Sequence, residues 1–102
     1  MGTIIRGTTP TITFTFNAVD VADMSVVYLT LTQGETVIEY SLEDATVNEN
    51  TLSWTLTQAD TLKLNERQDV SIQCRYKLIN GSAGASPIRV YSASKILKDG
   101  EI

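Results

Sequence analysis

From Thr11 to Phe16 the chain alternates strictly. Ile12, Phe14 and Phe16 fall on one side of an extended backbone and Thr11, Thr13 and Thr15 on the other. A two-residue period has one physical meaning, because successive side chains of a strand point to opposite faces of a sheet. One face of this segment is core and the other is wet. Pro10, just before it, sits where a missing N–H does least harm.

The same period returns along the chain. Ser25 to Gln33 places Val27, Leu29 and Leu31 against Val26, Tyr28, Thr30 and Thr32. After the turn Gln33-Gly34-Glu35, Thr36 to Leu42 places Ile38, Tyr40 and Leu42 against Val37, Glu39 and Ser41, so the two segments form a β-hairpin. A short piece around Val47 precedes Thr51–Leu56, where Leu52, Trp54 and Leu56 point inward. Asp69 to Ile79 is the longest strand, with Val70, Ile72, Cys74, Tyr76 and Leu78 on one face. Asn80-Gly81 is a strong hairpin cue, since both residues accept positive φ. Ser82-Ala83-Gly84-Ala85 is small and flexible. A final strand runs from about Ser86 to Lys95, entered through Pro87, and Ile4-Ile5 makes a shorter one. Threonine, β-branched and suited to a half-exposed sheet, occurs only up to Thr61.

The alternation breaks once. Thr57-Gln58-Ala59-Asp60 reads as a helix start, with Thr57 as cap and Asp60 three residues later as its capping-box partner. One short helical turn is expected near residues 57–64. The whole reads as an all-β chain: an antiparallel immunoglobulin-like β-sandwich of about six or seven strands, in one domain spanning 1–102. A small barrel is the alternative.

Composition restricts function. With 42% hydrophobic and 20% charged residues the chain is not of disordered type. Its net charge of −4 argues against non-specific nucleic-acid binding and against docking on an anionic membrane. No apolar run approaches the roughly 20 residues of a membrane span. The start, Met1-Gly2-Thr3-Ile4-Ile5-Arg6, lacks the pattern of a signal peptide, and Arg6 stands where a myristoylation motif wants Ser or Thr. Folding in a cytoplasm is expected.

Candidate chemistry is thin. Histidine is absent, which removes the commonest general base and the commonest transition-metal ligand. Cys74, the single cysteine, alternates in phase with Val70, Ile72 and Tyr76 and reads as core rather than nucleophile. Glu43-Asp44 and Asp20/Asp23 fall in turns, and Asp44, Asn48, Glu49 and Asn50 match no EF-hand spacing. No cofactor is expected. Trp54 reads as core, whereas Tyr28 and Tyr91 face away from it and are the better surface candidates.

Three stretches together carry a resemblance: Gly7-Thr8-Thr9-Pro10-Thr11-Ile12-Thr13-Phe14; Leu56-Thr57-Gln58-Ala59-Asp60-Thr61-Leu62; and Gly81-Ser82-Ala83-Gly84-Ala85-Ser86 leading into Ser94-Lys95-Ile96-Leu97-Lys98-Asp99-Gly100. The chain resembles small structural proteins of phages and prophages of Gram-positive bacteria. It is also similar to the immunoglobulin-like N-terminal domain of phage baseplate upper proteins. The resemblance implies a non-enzymatic virion component of tail or baseplate. Such a protein is present in the host bacterial cytoplasm during assembly and then in the virion, and its partners are proteins: further copies of itself or other virion proteins. Expected contact residues are Ile4, Ile5, Ile96 and Leu97 at the chain ends, with Tyr28 and Tyr91. Two other readings stand beside this one. A carbohydrate-binding or adhesive sandwich predicts an exposed aromatic platform, and a small hydrolase would work through Thr or Cys74.

Overall fold

The computed structural model describes residues 2–102. Its strands are β1 (Thr3–Ile5), β2 (Thr11–Thr15), β3 (Met24–Gln33), β4 (Thr36–Ser41), β5 (Thr46–Asn48), β6 (Thr51–Thr55), β7 (Asp69–Leu78), β8 (Ala83–Ala85) and β9 (Arg89–Ser94). One helical turn, α1 (Gln58–Thr61), lies between β6 and β7, inside the span expected for it. They form an all-β sandwich of two sheets. The smaller has the order β2-β6-β5. The larger has the order β1-β9-β7-β3-β4, with β8 also paired to β7. Naming β2, β3, β4, β5, β6, β7 and β9 as B, C, C′, D, E, F and G gives a BED sheet facing a GFCC′ sheet. These are strand sets of the variable-type immunoglobulin sandwich. One pair departs from the antiparallel expectation: β1 runs parallel to β9, with Ile4 beside Ala93.

The core forms where the inward residues of both sheets meet. Ile12, Phe14, Leu52 and Trp54 come from the small sheet, and Val27, Leu29, Leu31, Ile38, Val70, Ile72 and Cys74 from the large one. Phe14 and Trp54 meet edge to face at 6.3 Å, the arrangement their ring quadrupoles favour. The one polar atom of the Trp54 ring is satisfied, because Nε1 donates to the Ser41 carbonyl at 2.9 Å.

Loop chemistry sets the register. Gly34, at φ 59°, turns the two-residue hairpin between β3 and β4. The Asn80-Gly81 hairpin is built differently from the sequence expectation. Leu78 N–H bonds Ser82 carbonyl, so the loop is Ile79-Asn80-Gly81, and only Gly81 takes positive φ, at 93°. This is the three-residue hairpin with glycine in the left-handed position.

The chain returns from it as two strands, not one. Ala83–Ala85, expected to be flexible, pairs with Arg75–Lys77, and β9 pairs further along β7 with Asp69–Ile72. Ser86 bridges the interruption at Pro87. Its N–H donates to the Cys74 carbonyl and its Oγ accepts the Cys74 N–H. Gly84 has a packing role, since a Cβ there would stand 2.4 Å from the Tyr76 hydroxyl oxygen.

At the α1 end of the sandwich the capping expectation holds in half. Thr57 Oγ1 accepts the Asp60 N–H at 3.1 Å. The reciprocal bond is relayed through Tyr40, whose hydroxyl accepts Thr57 N–H (3.3 Å) and donates to Asp60 Oδ2 (2.5 Å). The Tyr40 hydrogen bond, followed by Lys63, holds the Asp60 carboxyl below its usual range although partial burial opposes it. A lowered carboxylate pKa stabilises the fold above the unfolded pKa, and that contribution is lost as pH falls through the folded value. Acid titration followed by near-UV dichroism should therefore show wild type losing stability below about pH 4 more steeply than Asp60→Asn.

Gln33 is the main buried polar residue of the large sheet. Its Nε2 donates to the carbonyls of Asn65 (2.8 Å) and Gln68 (3.1 Å), and its Oε1 accepts Asn65 N–H (2.6 Å). One side chain thus ties down the loop that leads into β7. Gln33→Leu should cost about 1–3 kcal/mol in urea unfolding, the usual penalty for leaving buried backbone groups unpaired.

Candidate functional site

The outer faces of the two sheets differ in chemistry. On the small sheet, Pro10 carbonyl bonds Leu56 N–H and Phe16 N–H bonds Asn50 carbonyl. The even-numbered residues of β2 therefore face β6 with their backbone groups, and Thr11, Thr13 and Thr15 form the non-hydrogen-bonded pairs, where side chains come closest. Each pair closes with a hydroxyl contact: Thr11–Thr55 at 3.1 Å, Thr13–Ser53 at 3.1 Å and Thr15–Thr51 at 3.2 Å. This face is a self-satisfied hydroxyl ladder.

The large sheet presents the opposite. Val26 and Tyr28 of β3, Val37 of β4, Val90 of β9 and Ile88 just before it are all exposed large apolar residues. The register places them on one surface: Tyr28 stands between Ser41 and Arg75, Val26 beside Lys77, and Val90 beside Ser71. Glu39 lies on the β4 flank and Arg75 and Lys77 on the β7 flank. None of the three has an opposite charge within 4 Å among the described residues. A shallow hollow at one end is lined by Tyr28, Glu39, Arg75 and Lys77.

The residues expected to make contacts are dispersed over the fold. Tyr28 is 45% exposed on the outer face of the large sheet, and Ile5 is exposed on edge strand β1. Leu97 is fully exposed in the segment after β9. Three others are corrected. Ile4 is buried and completes the core through its pairing beside Ala93. Tyr91 faces inward on β9, half-buried, with its ring against Gly2, where a Cβ would approach within 2.5 Å. Ile96 is half-buried against Gly7, whose positive φ and absent side chain make room for it. Val26, Val37, Ile88 and Val90 were not singled out in the sequence. The signal for the first two lay in the outward phase of β3 and β4, which carries valine where a wetted face would carry charge.

The residues most tempting for chemistry have structural settings. Cys74 is fully buried, and burial pushes its thiol up to about 11, against a smaller opposing effect of Arg89. A nucleophilic cysteine needs the reverse shift. At pH 8 roughly one thiol in a thousand is ionised, so alkylation by iodoacetamide should be negligible in the native state and rapid in urea. Above the unfolded pKa the unfolded chain releases this proton and the folded chain retains it, so stability falls as pH rises from about 9 towards 11. Asp44 Oδ2 accepts Ser41 N–H, closing a capping box on a single 3-10 turn. Asn50 accepts Val21 N–H and donates to Asp20. Trp54 is buried, Tyr91 lies over Gly2 and Tyr28 stands on the outer sheet face, so these aromatics form no shared platform. No helix among the described residues is long and apolar enough to cross a membrane. No protein-family model matches the chain, and no curated protein does.

Proposed function

We propose that this chain is a non-enzymatic assembly protein that works by packing the outer face of its large sheet against a further copy of itself. The carrying observation is the asymmetry between the two faces: a closed hydroxyl ladder on one, and on the other the exposed apolar residues Val26, Tyr28, Val37, Ile88 and Val90 set among Thr30, Thr32, Ser71 and Gln73. Large exposed apolar patches on soluble proteins mark contact sites. The three strands β7, β3 and β4, at about 4.8 Å and a length of about 30 Å along β3, give roughly 430 Å², about half of the roughly 800 Å² each partner contributes to a standard interface, which fits a weak, concentration-dependent dimer.

Charge favours a second copy as the partner. Glu39 on one flank and Arg75 and Lys77 on the other make the face self-complementary about a two-fold axis running along β3, which sets the β4 flank of each copy against the β7 flank of its partner. An axis across the strands would place like flanks together. The phage or prophage assignment, with a tail or baseplate position and a virion location, rests on the sequence resemblance, and a self-packing sandwich is what such a particle would use. Light scattering coupled to size-exclusion chromatography tests the association. A concentration-dependent dimer is expected, and a strict monomer at about 1 mM contradicts the self-association.

A further inference from the structure

The second surface is an edge. Among the described residues β2 pairs with β6 alone, which leaves one side of the small sheet open. An immunoglobulin-type sheet of this kind has a strand A beside B. Here the first strand pairs instead with β9 in the other sheet. The hydrogen-bond phase set by Pro10 and Phe16 turns the N–H and C=O groups of Thr11, Thr13 and Thr15 outward along this edge. Among the described residues only the Thr13 carbonyl has a partner there, the Arg89 guanidinium, whose Nη1 donates to it at 2.7 Å. The guanidinium carbon also lies 3.9 Å from the centre of the Phe14 ring. Beside the edge is a hollow lined by Phe14, Phe16, Val19, Tyr76, Pro87 and Arg89.

We propose that the edge of β2 accepts an extended strand of a partner protein, with apolar side chains at alternate positions entering the hollow beside Phe16 and Pro87 and a carboxylate taking Arg89. Each part of that occupant follows from a feature of the edge. Backbone groups repeating every second residue are matched by another extended strand. The added strand has two unlike sides, one continuing the hydroxyl ladder and one over the hollow, so its sequence alternates polar and apolar. The cation selects the acid. Arg89 covers the Thr13 carbonyl, and an incoming strand must draw it away; a carboxylate on the hollow side does so with a charge-assisted bond. A second copy of β2 does not qualify, because pairing two such strands about Thr13 brings the two Arg89 guanidinia together. This surface is distinct from the outer face of the large sheet, and variants on one leave the other intact.

The test uses the full chain, ¹⁵N-labelled, and an acetylated, amidated heptapeptide Thr-Val-Thr-Glu-Thr-Val-Thr. Expected are amide shifts and slowed hydrogen exchange at Thr11, Thr13 and Thr15. Binding should be at least about tenfold weaker when lysine replaces the peptide glutamate. Thr13→Pro removes an outward donor while leaving the β6-facing groups of Ile12 and Phe14, so binding should vanish with those two amides still protected. Arg89→Ala is the second variant, and it should reduce the preference for glutamate over lysine to within about twofold. The proposal is overturned by unmoved β2 amides at millimolar peptide, by shifts on the large sheet or the β4 edge instead, or by equal affinity of both peptides for wild type.

Discussion

Trp54→Ala is expected to leave the domain barely folded at room temperature. Removal of a fully buried tryptophan costs about 3–5 kcal/mol, because the ring fills the space between the sheets and meets Phe14 edge to face. The substitution also strips the Ser41 carbonyl of its donor, at the point where β4 passes into its 3-10 turn. A domain of this size has about 5–15 kcal/mol in all. Trp54→Phe separates the two contributions: it retains most of the buried ring, loses the N–H bond and should cost about 1–3 kcal/mol. Urea unfolding followed by far-UV dichroism measures both, and equal losses for the two variants would show that the hydrogen bond dominates.

Tyr28→Asp should act on assembly and leave the fold alone. Tyr28 is exposed on the outer side of β3, so the change should move stability by no more than about 0.5 kcal/mol. In the proposed dimer it lies on the strand along which the two-fold axis runs, and each copy then presents a carboxylate to the other. Loss of a central aromatic contact is worth about 2 kcal/mol or more, so association should weaken at least about thirtyfold. The charge pattern gives a stricter check. Glu39→Lys alone should weaken association by opposing Arg75 and Lys77, and Arg75→Glu added to it should restore part of the loss. Sedimentation velocity reads all three. Weakening by Glu39→Lys without recovery in the double variant would contradict the flank-to-flank arrangement.

Much of the fold was legible because alternation reports burial directly. Trp54 and Cys74, in phase with Leu52, Leu56, Val70 and Ile72, are core as read. The segments β2, β3, β4, β6 and β7 carry the pattern on their own. What was illegible depends on partners distant in sequence. Ile4 and Ile5 are chemically identical, and only the parallel pairing with β9 decides that Ile4 goes in and Ile5 out. In β9 the inward residues are Arg89, Tyr91 and Ala93 and the outward ones include Val90, so hydrophobicity gives no phase and β7 imposes one. Ala83-Gly84-Ala85 has poor strand propensity, yet it pairs, with Gly84 accommodating Tyr76. Gln33 hid in a turn-like tripeptide, although it stands two residues after Leu31 in the inward phase.

The proposed contact surface was legible for Tyr28 and not as a whole. An exposed tyrosine is noticeable in a strand, whereas four further apolar residues on one face become a surface only when β3, β4, β7 and β9 are laid side by side. The open edge of β2 was out of reach of the sequence, since which strand pairs with which is a property of the topology.

In the proposed assembly this sandwich associates through the outer face of its large sheet. Sedimentation equilibrium of wild type and Tyr28→Asp, from about 10 μM to 1 mM, tests it most directly. Wild type should show a reversible monomer–dimer equilibrium, and the variant should stay monomeric over the same range. A wild-type chain that stays monomeric throughout, or a variant that dimerises as tightly as wild type, would contradict it.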